Sequence, residues 1–190
     1  MAIINATSLI SFRNQVPYTE RTRFMSRKDR LFEAKQHGAV TVFLSHSHSD
    51  AEGNKEVFEG AISLLSAQGV EVYVDWLDDN MPKVTDASTA TKLKEKIKSN
   101  KKFVLLASPS AISSNWVNWE LGLGDAAKYL EHIALFPFVS NGGTWKDAEY
   151  LRIYPYIEKA NMYLPDSAKD NYIVRFPNGT SQSLSSWLRK

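Results

Sequence analysis

Five short apolar runs recur from residue 39 onward: 39–44, 70–75, 103–107, 133–139 and 172–176. They are rich in β-branched and aromatic residues, and each is long enough for a buried strand. Helical periodicity fills the gaps. Val57, Phe58, Ala61, Ile62 and Leu65 mark one apolar face over 54–68, with Gly69 as its terminator. Ala90, Leu93 and Ile97 mark a second helix, whose Lys92, Lys94, Lys96 and Lys98 point mostly to water. Trp119, Leu123, Ala126 and Leu130 mark a third over 115–129, capped by Ser113 or Ser114. A short helix is expected over 147–154, and a last one docked by Leu184, Trp187 and Leu188. Pro137 puts its strand near an edge or at a local break.

Continuously apolar strands alternating with helices predict βαβ units and a parallel sheet covered on both faces. The expected fold class is α/β, flavodoxin-like, with five mainly parallel strands. In such sheets ligands sit beyond the C-terminal strand ends. That directs attention to residues 45–50, 75–87 and 108–115, and to the segment after Val139.

The first residues break this pattern. Arg13, Arg21, Arg23, Arg27, Lys28, Arg30 and Lys35 crowd a stretch holding only Glu20, Asp29 and Glu33 as acids. Residues 1–38 read as a basic, helical N-terminal extension, and 39–190 as the domain. A helix packed by Phe24, Leu31 and Phe32 suits the pattern better than a basic arm for a partner or nucleic acid.

Composition narrows the classes. A chain of 190 residues fits one domain. Cys is absent, which excludes a disulfide framework, a thiolate metal site and a cysteine nucleophile. A net charge of +2 is too balanced to imply nucleic acid. No stretch approaches a membrane span, and the N-terminus lacks a basic region ahead of an apolar core. Cytoplasmic localisation is the expectation.

Several chemistries fail on inspection. No phosphate-binding loop or dinucleotide GxGxxG follows the first strand, and Gly122-Leu123-Gly124 falls inside a helix. His46 and His48 lack further ligands at suitable spacing, so no metal site is expected. A phospho-acceptor receiver needs a carboxylate after the third strand, where Ala107-Ser108-Pro109 stands. The Lys92–Lys102 run reads as a solvated face. Trp116 and Glu120, four apart, share one face of the helix that starts at the ligand-binding edge. Spacing leaves two readings open: a carboxyl with working chemistry beside an indole, or a surface Glu beside a core Trp.

Three stretches carry a resemblance to a known family. They are Phe43-Leu44-Ser45-His46-Ser47-His48-Ser49-Asp50, Val72-Tyr73-Val74-Asp75, and Ser114-Asn115-Trp116 through Glu120-Leu121. Together they resemble the bacterial Toll/interleukin-1 receptor (TIR) domain of the NAD+-consuming type, over residues 40 to 190. The last stretch resembles the family's Ser-x-Trp-x-x-x-Glu motif. The resemblance implies cleavage of the nicotinamide–ribose bond of NAD+, giving ADP-ribose or a cyclic ADP-ribose-type signal. It places the catalytic role on Glu120 and stacking on Trp116. Ser45, His46, Ser47 and Asp75 would line the substrate pocket. NAD+ is then substrate, and no cofactor or metal is implied. The resemblance also implies self-association through TIR contacts and a downstream effector sensing the product, as in Thoeris-like anti-phage defence. A non-enzymatic adaptor that recruits other TIR domains is the alternative. Two departures stand out. His46 occupies a position where Tyr is frequent, and the loop from Asp78 to Val84 has Pro82 without a following Gly.

Overall fold

A computed structural model describes residues 3–25, 38–78, 87–140, 142–145, 148–160 and 171–190. The strands are β1 (Ile4–Asn5), β2 (Thr41–Ser45), β3 (Glu71–Tyr73), β4 (Lys102–Ala107), β5 (Ile133–Val139), β6 (Tyr156–Lys159), β7 (Tyr172–Arg175) and β8 (Ser181–Ser183). The helices are α1 (Ala6–Gln15), α2 (Tyr18–Met25), α3 (His48–Gly53), α4 (Lys55–Ser66), α5 (Ala87–Ser99), α6 (Pro109–Ser113), α7 (Asn115–Ala127) and α8 (Leu184–Arg189). The sheet runs β3-β2-β4-β5-β6-β7-β8, with β1 added alongside β5. All pairings from β3 to β6 are parallel, as is β1 with β5; β6–β7 and β7–β8 are antiparallel.

This is the α/β, mainly parallel architecture that the pattern predicts, with a different strand count. The fifth parallel strand is β6, and the run at 172–176 is its antiparallel neighbour. β6 escaped the sequence reading because Glu158 and Lys159 interrupt its apolar signal. β8 escaped because Ser181-Gln182-Ser183 carries none. The turn joining β7 to β8 has Gly179 at φ 86°, the left-handed conformation that favours glycine.

Pleat alternation sorts the core into two layers. Val42, Leu44, Val104, Leu106 and Phe136 meet α1, α4 and α8 on one face. Phe43, Phe103, Leu105 and Leu135 meet α5, α6 and α7 on the other. Pro137 is buried in β5, not at an edge. Its partners on one side change from β6 at Leu135 to β1 at Phe138. Leu135 donates its N–H to Pro155 on that side, so the missing N–H of Pro137 falls where the ladder is broken.

The N-terminal residues join the same core. Leu9 and Phe12 are buried, and Leu9 presses its backbone against Gly60 of α4. Arg13 pairs with Glu59 at 2.6 Å and Glu56 at 3.4 Å. Phe24 is half-buried against this layer, whereas Leu31 and Phe32 lie outside the described residues.

Two expectations about helices are corrected. The short helix near 147–154 is a 3-10 turn, Glu149–Ile153. The core face of α7 is Val117, Glu120, Leu121 and Gly124. Trp119 and Leu123 are half-buried, Ala126 is exposed, and Leu130 lies beyond the helix at 47% exposure. Gly124 turns the helix this way: a Cβ there would meet the Phe103 ring at 3.0 Å, so the bare backbone sits against the sheet.

Candidate active site

The site forms where β2, β3 and β4 end. Ser45 is the last residue of β2 and shares the face of Phe43, the face that α7 covers. Its hydroxyl donates a hydrogen bond to Oε2 of Glu120. Glu120 sits in the second turn of α7 and is only 3% exposed. Ser114 caps that helix by accepting the Val117 N–H at 3.3 Å. The Trp116 indole, one turn before Glu120, also hydrogen-bonds its carboxyl and packs on Trp119 at 4.8 Å between centroids.

Asp75 follows β3 and opens the 3-10 turn Asp75–Leu77. Burial pushes Glu120 up to about 8, and the charge of Asp75 adds to it. The hydrogen bonds from Ser45 and Trp116 oppose the rise without cancelling it. Burial and the Asp75 charge thus favour the protonated carboxyl of Glu120.

His46 is buried, with its Nδ1 3.8 Å from Asp75 and its ring 4.7 Å from that of Phe58. Ser47 lies at the N-cap of α3, where its hydroxyl pairs with Ser49 at 2.7 Å. The fold thus gathers Ser45, Trp116 and Asp75 around Glu120, sets His46 against Asp75, and turns Ser47 toward Ser49. Residues 79–84 of the loop singled out in the sequence lie outside the described residues. Among the described residues no three His, Asp or Glu side chains gather as a metal site.

Sequence reasoning missed two groups near these strand ends. Lys96 belongs to a set of lysines whose pattern points mostly to water, yet it pairs with Asp78 at 3.0 Å and lies over the Tyr73 ring. The Tyr73 hydroxyl donates to the same carboxylate at 2.8 Å, fastening the turn that carries Asp75. The second group is Asp50 with Ser108. Its only signal was Ser108-Pro109, a cap followed by proline at a helix start.

A buried carboxyl beside an indole, with a second acid nearby, suits a flat cationic ring. The TIR domain family model matches residues 42–169. This chain belongs to the TIR domain family. A Bacillus cereus (strain MSX-D12) protein named probable 3' cyclic ADP-D-ribose synthase ThsB' is 34% identical to this TIR protein over 156 residues. The match covers 78% of this chain and 75% of the relative. Ser45, Asp75, Trp116 and Glu120 of this TIR domain all fall inside the matched span.

Proposed function

We propose that this TIR protein cleaves the nicotinamide–ribose bond of NAD+ and releases a cyclic ADP-ribose-type product, or ADP-ribose where water intercepts the ribosyl cation. The observation that carries the reading is the buried Glu120, held by Ser45 and Trp116 beside Asp75. The name of the B. cereus relative supports the cyclic product.

The residues suit the chemistry. Nicotinamide departs as a neutral molecule from a cationic pyridinium, so its departure needs no proton donor. One carboxylate suffices where other glycosidic bonds require two. The approaching pyridinium favours the ionised form of Glu120, offsetting the burial and the Asp75 charge that keep it protonated. The carboxylate then faces the oxocarbenium-like ribose in a site of low dielectric. Trp116 offers a flat surface for stacking, and Asp75, with His46 and Ser47 beside it at the end of β2, is the proposed border of the substrate site. Cyclisation follows when another nucleophile of the same molecule reaches the ribosyl carbon before water does.

No helix among the described residues is long and apolar enough to cross a membrane. The setting we propose is cytoplasmic anti-phage signalling of the Thoeris type. NAD+ is the substrate, no separate cofactor is needed, TIR–TIR contacts provide self-association, and an effector senses the product.

The test is incubation of purified, concentrated protein with NAD+, followed by chromatography and mass spectrometry. Nicotinamide and a cyclic product are expected. Glu120→Ala is expected to lower the rate by roughly 10²- to 10³-fold. Equal nicotinamide release by the variant rules Glu120 out. Self-association without any NAD+ turnover supports an adaptor instead.

A further inference from the structure

The two strand ends that frame the site are tied together twice, in opposite senses. Ser45 ends β2 and donates to Glu120 on α7, a helix that follows β4. Ser108 follows β4 and donates to Oδ2 of Asp50 on α3, the helix that follows β2. The strands are direct neighbours, with Ser45 in register with Leu105. Pleat alternation produces the crossing. Ser45 continues the face of Phe43, which α7 covers. Ser108 continues the face of Leu106, which carries β2's own following helices.

Asp50 is nearly as inaccessible to solvent as Glu120, at 4% exposed. Its carboxyl receives hydrogen bonds from Ser108, Asn54 and Ser110. A serine hydroxyl has one hydrogen to give. Asp50 takes it, while Ser108 Oγ also accepts the Ala111 N–H at 2.9 Å and so caps α6. α6 is in turn joined to α7. Ser114 ends one and caps the other, and the Asn118 side chain donates to the Ile112 carbonyl at 2.9 Å. A continuous set of contacts therefore runs from Asp50 through Ser108 and α6 to the helix bearing Glu120.

We infer that Asp50 is a positioning residue for Glu120: through Ser108 it fixes the α6–α7 unit against the end of β2, and with it the Ser45–Glu120 contact. The inference rests on Glu120 being the working group of an NAD+-cleaving site. Asp50 touches neither the reacting atoms nor the substrate. Its part is to keep two adjacent βα turns from sliding past one another.

The test compares Asp50→Ala, Asp50→Asn and Ser108→Ala with the natural protein. Two readouts are taken: kcat and KM for NAD+ from nicotinamide release, and the titration of Glu120 by carboxyl-carbon NMR, assigned with Glu120→Gln. Asparagine keeps an oxygen acceptor for Ser108 and carries no charge. Asp50→Ala and Ser108→Ala are expected to lose about tenfold or more in kcat with KM within about twofold, since small misplacements of reacting groups are costly. Glu120 should titrate at higher pH in both, as its bond from Ser45 lengthens. Asp50→Asn should stay within about threefold of the natural kcat, with Glu120 titrating unchanged.

A fall of the Glu120 midpoint in both Asp50 variants marks a through-space charge and overturns the inference. So does a folded Asp50→Ala protein with natural kcat and midpoint. If Asp50→Ala fails to fold, the double variant Ser108→Ala/Ser110→Ala decides alone, because it removes both hydrogen bonds that join Asp50 to α6 and leaves the one from Asn54. If the natural protein releases no nicotinamide, the enzymatic reading fails, and the NMR midpoints still decide whether Asp50 positions Glu120.

Discussion

A carboxyl group held up to about 8 by burial and by Asp75 is mostly protonated at neutral pH. The reaction proposed here uses the ionised form. For the free enzyme, kcat/KM should therefore rise with pH through the neutral range and level off above about 8. Ser45→Ala removes one of the two hydrogen bonds that favour ionisation. Its rising limb should sit at higher pH, with activity at pH 7 reduced about tenfold. Initial rates across pH 5.5 to 9.5, for both proteins, measure this; a profile flat across that range sinks it. Ser45, Asp75 and Trp116 were legible because each belongs to a segment that a parallel sheet delivers to one edge. Asp50 was not legible as a buried partner, because nothing local distinguishes it from other carboxylates at a helix start. Lys102 was misread for a similar reason. It ends a lysine run that looks solvated, yet it is 1% exposed, bonded to His132 at 2.8 Å and set over the Trp187 ring. Those partners come from distant segments, so local pattern carries no trace of them.

Elements were legible where their periodicity was one-sided. α4 reads as a helix with one apolar face, and it buries that face. α7 has apolar residues on both sides, and a reading that counts Glu120 as polar turns the helix the wrong way. Its true orientation depends on Gly124 against Phe103, a contact between elements. The two glycine contacts allow a contrast. Gly60→Ala pushes a methyl into the Leu9 backbone on the face away from α7. Overpacking of this kind costs about 1–3 kcal/mol. Tm should fall by roughly 3–10 °C while kcat at 20 °C is retained. Gly124→Ala instead presses α7 off Phe103 and moves Glu120 with it. There kcat should fall about tenfold even where the protein is fully folded. Thermal denaturation and nicotinamide release on the two variants separate the cases. Equal loss of activity in both counts against a site set by the seating of α7.

Across the whole molecule, the site carries a cost in stability that varies with pH. Glu120 stands near its ordinary 4.5 in the unfolded chain and at about 8 in the folded one. Between those values the folded protein binds a proton that the unfolded chain has released. The Glu120 contribution to stability is therefore fully present below about pH 4.5 and is lost as pH rises through about 8. Glutamine at 120 mimics the protonated form and never ionises. Glu120→Gln should match the natural protein near pH 4, exceed it increasingly up to pH 8, and hold a constant advantage above that. A shift from 4.5 to about 8 corresponds to a plateau on the order of 5 kcal/mol, or roughly 10–20 °C in Tm. Lys102, lowered to about 8 by burial at the N-terminal end of β4, has the reverse dependence, gaining stability as pH rises toward 10.5. It is the same in both proteins and drops out of the difference. Plotting the Tm of Glu120→Gln minus that of the natural protein against pH isolates Glu120. A difference that is flat from pH 4 to 9, or that falls with pH, means the folded site does not hold the proton on Glu120. A difference that rises and then levels ties the loss of stability to the group whose removal is expected to slow cleavage of NAD+ by roughly 10²- to 10³-fold.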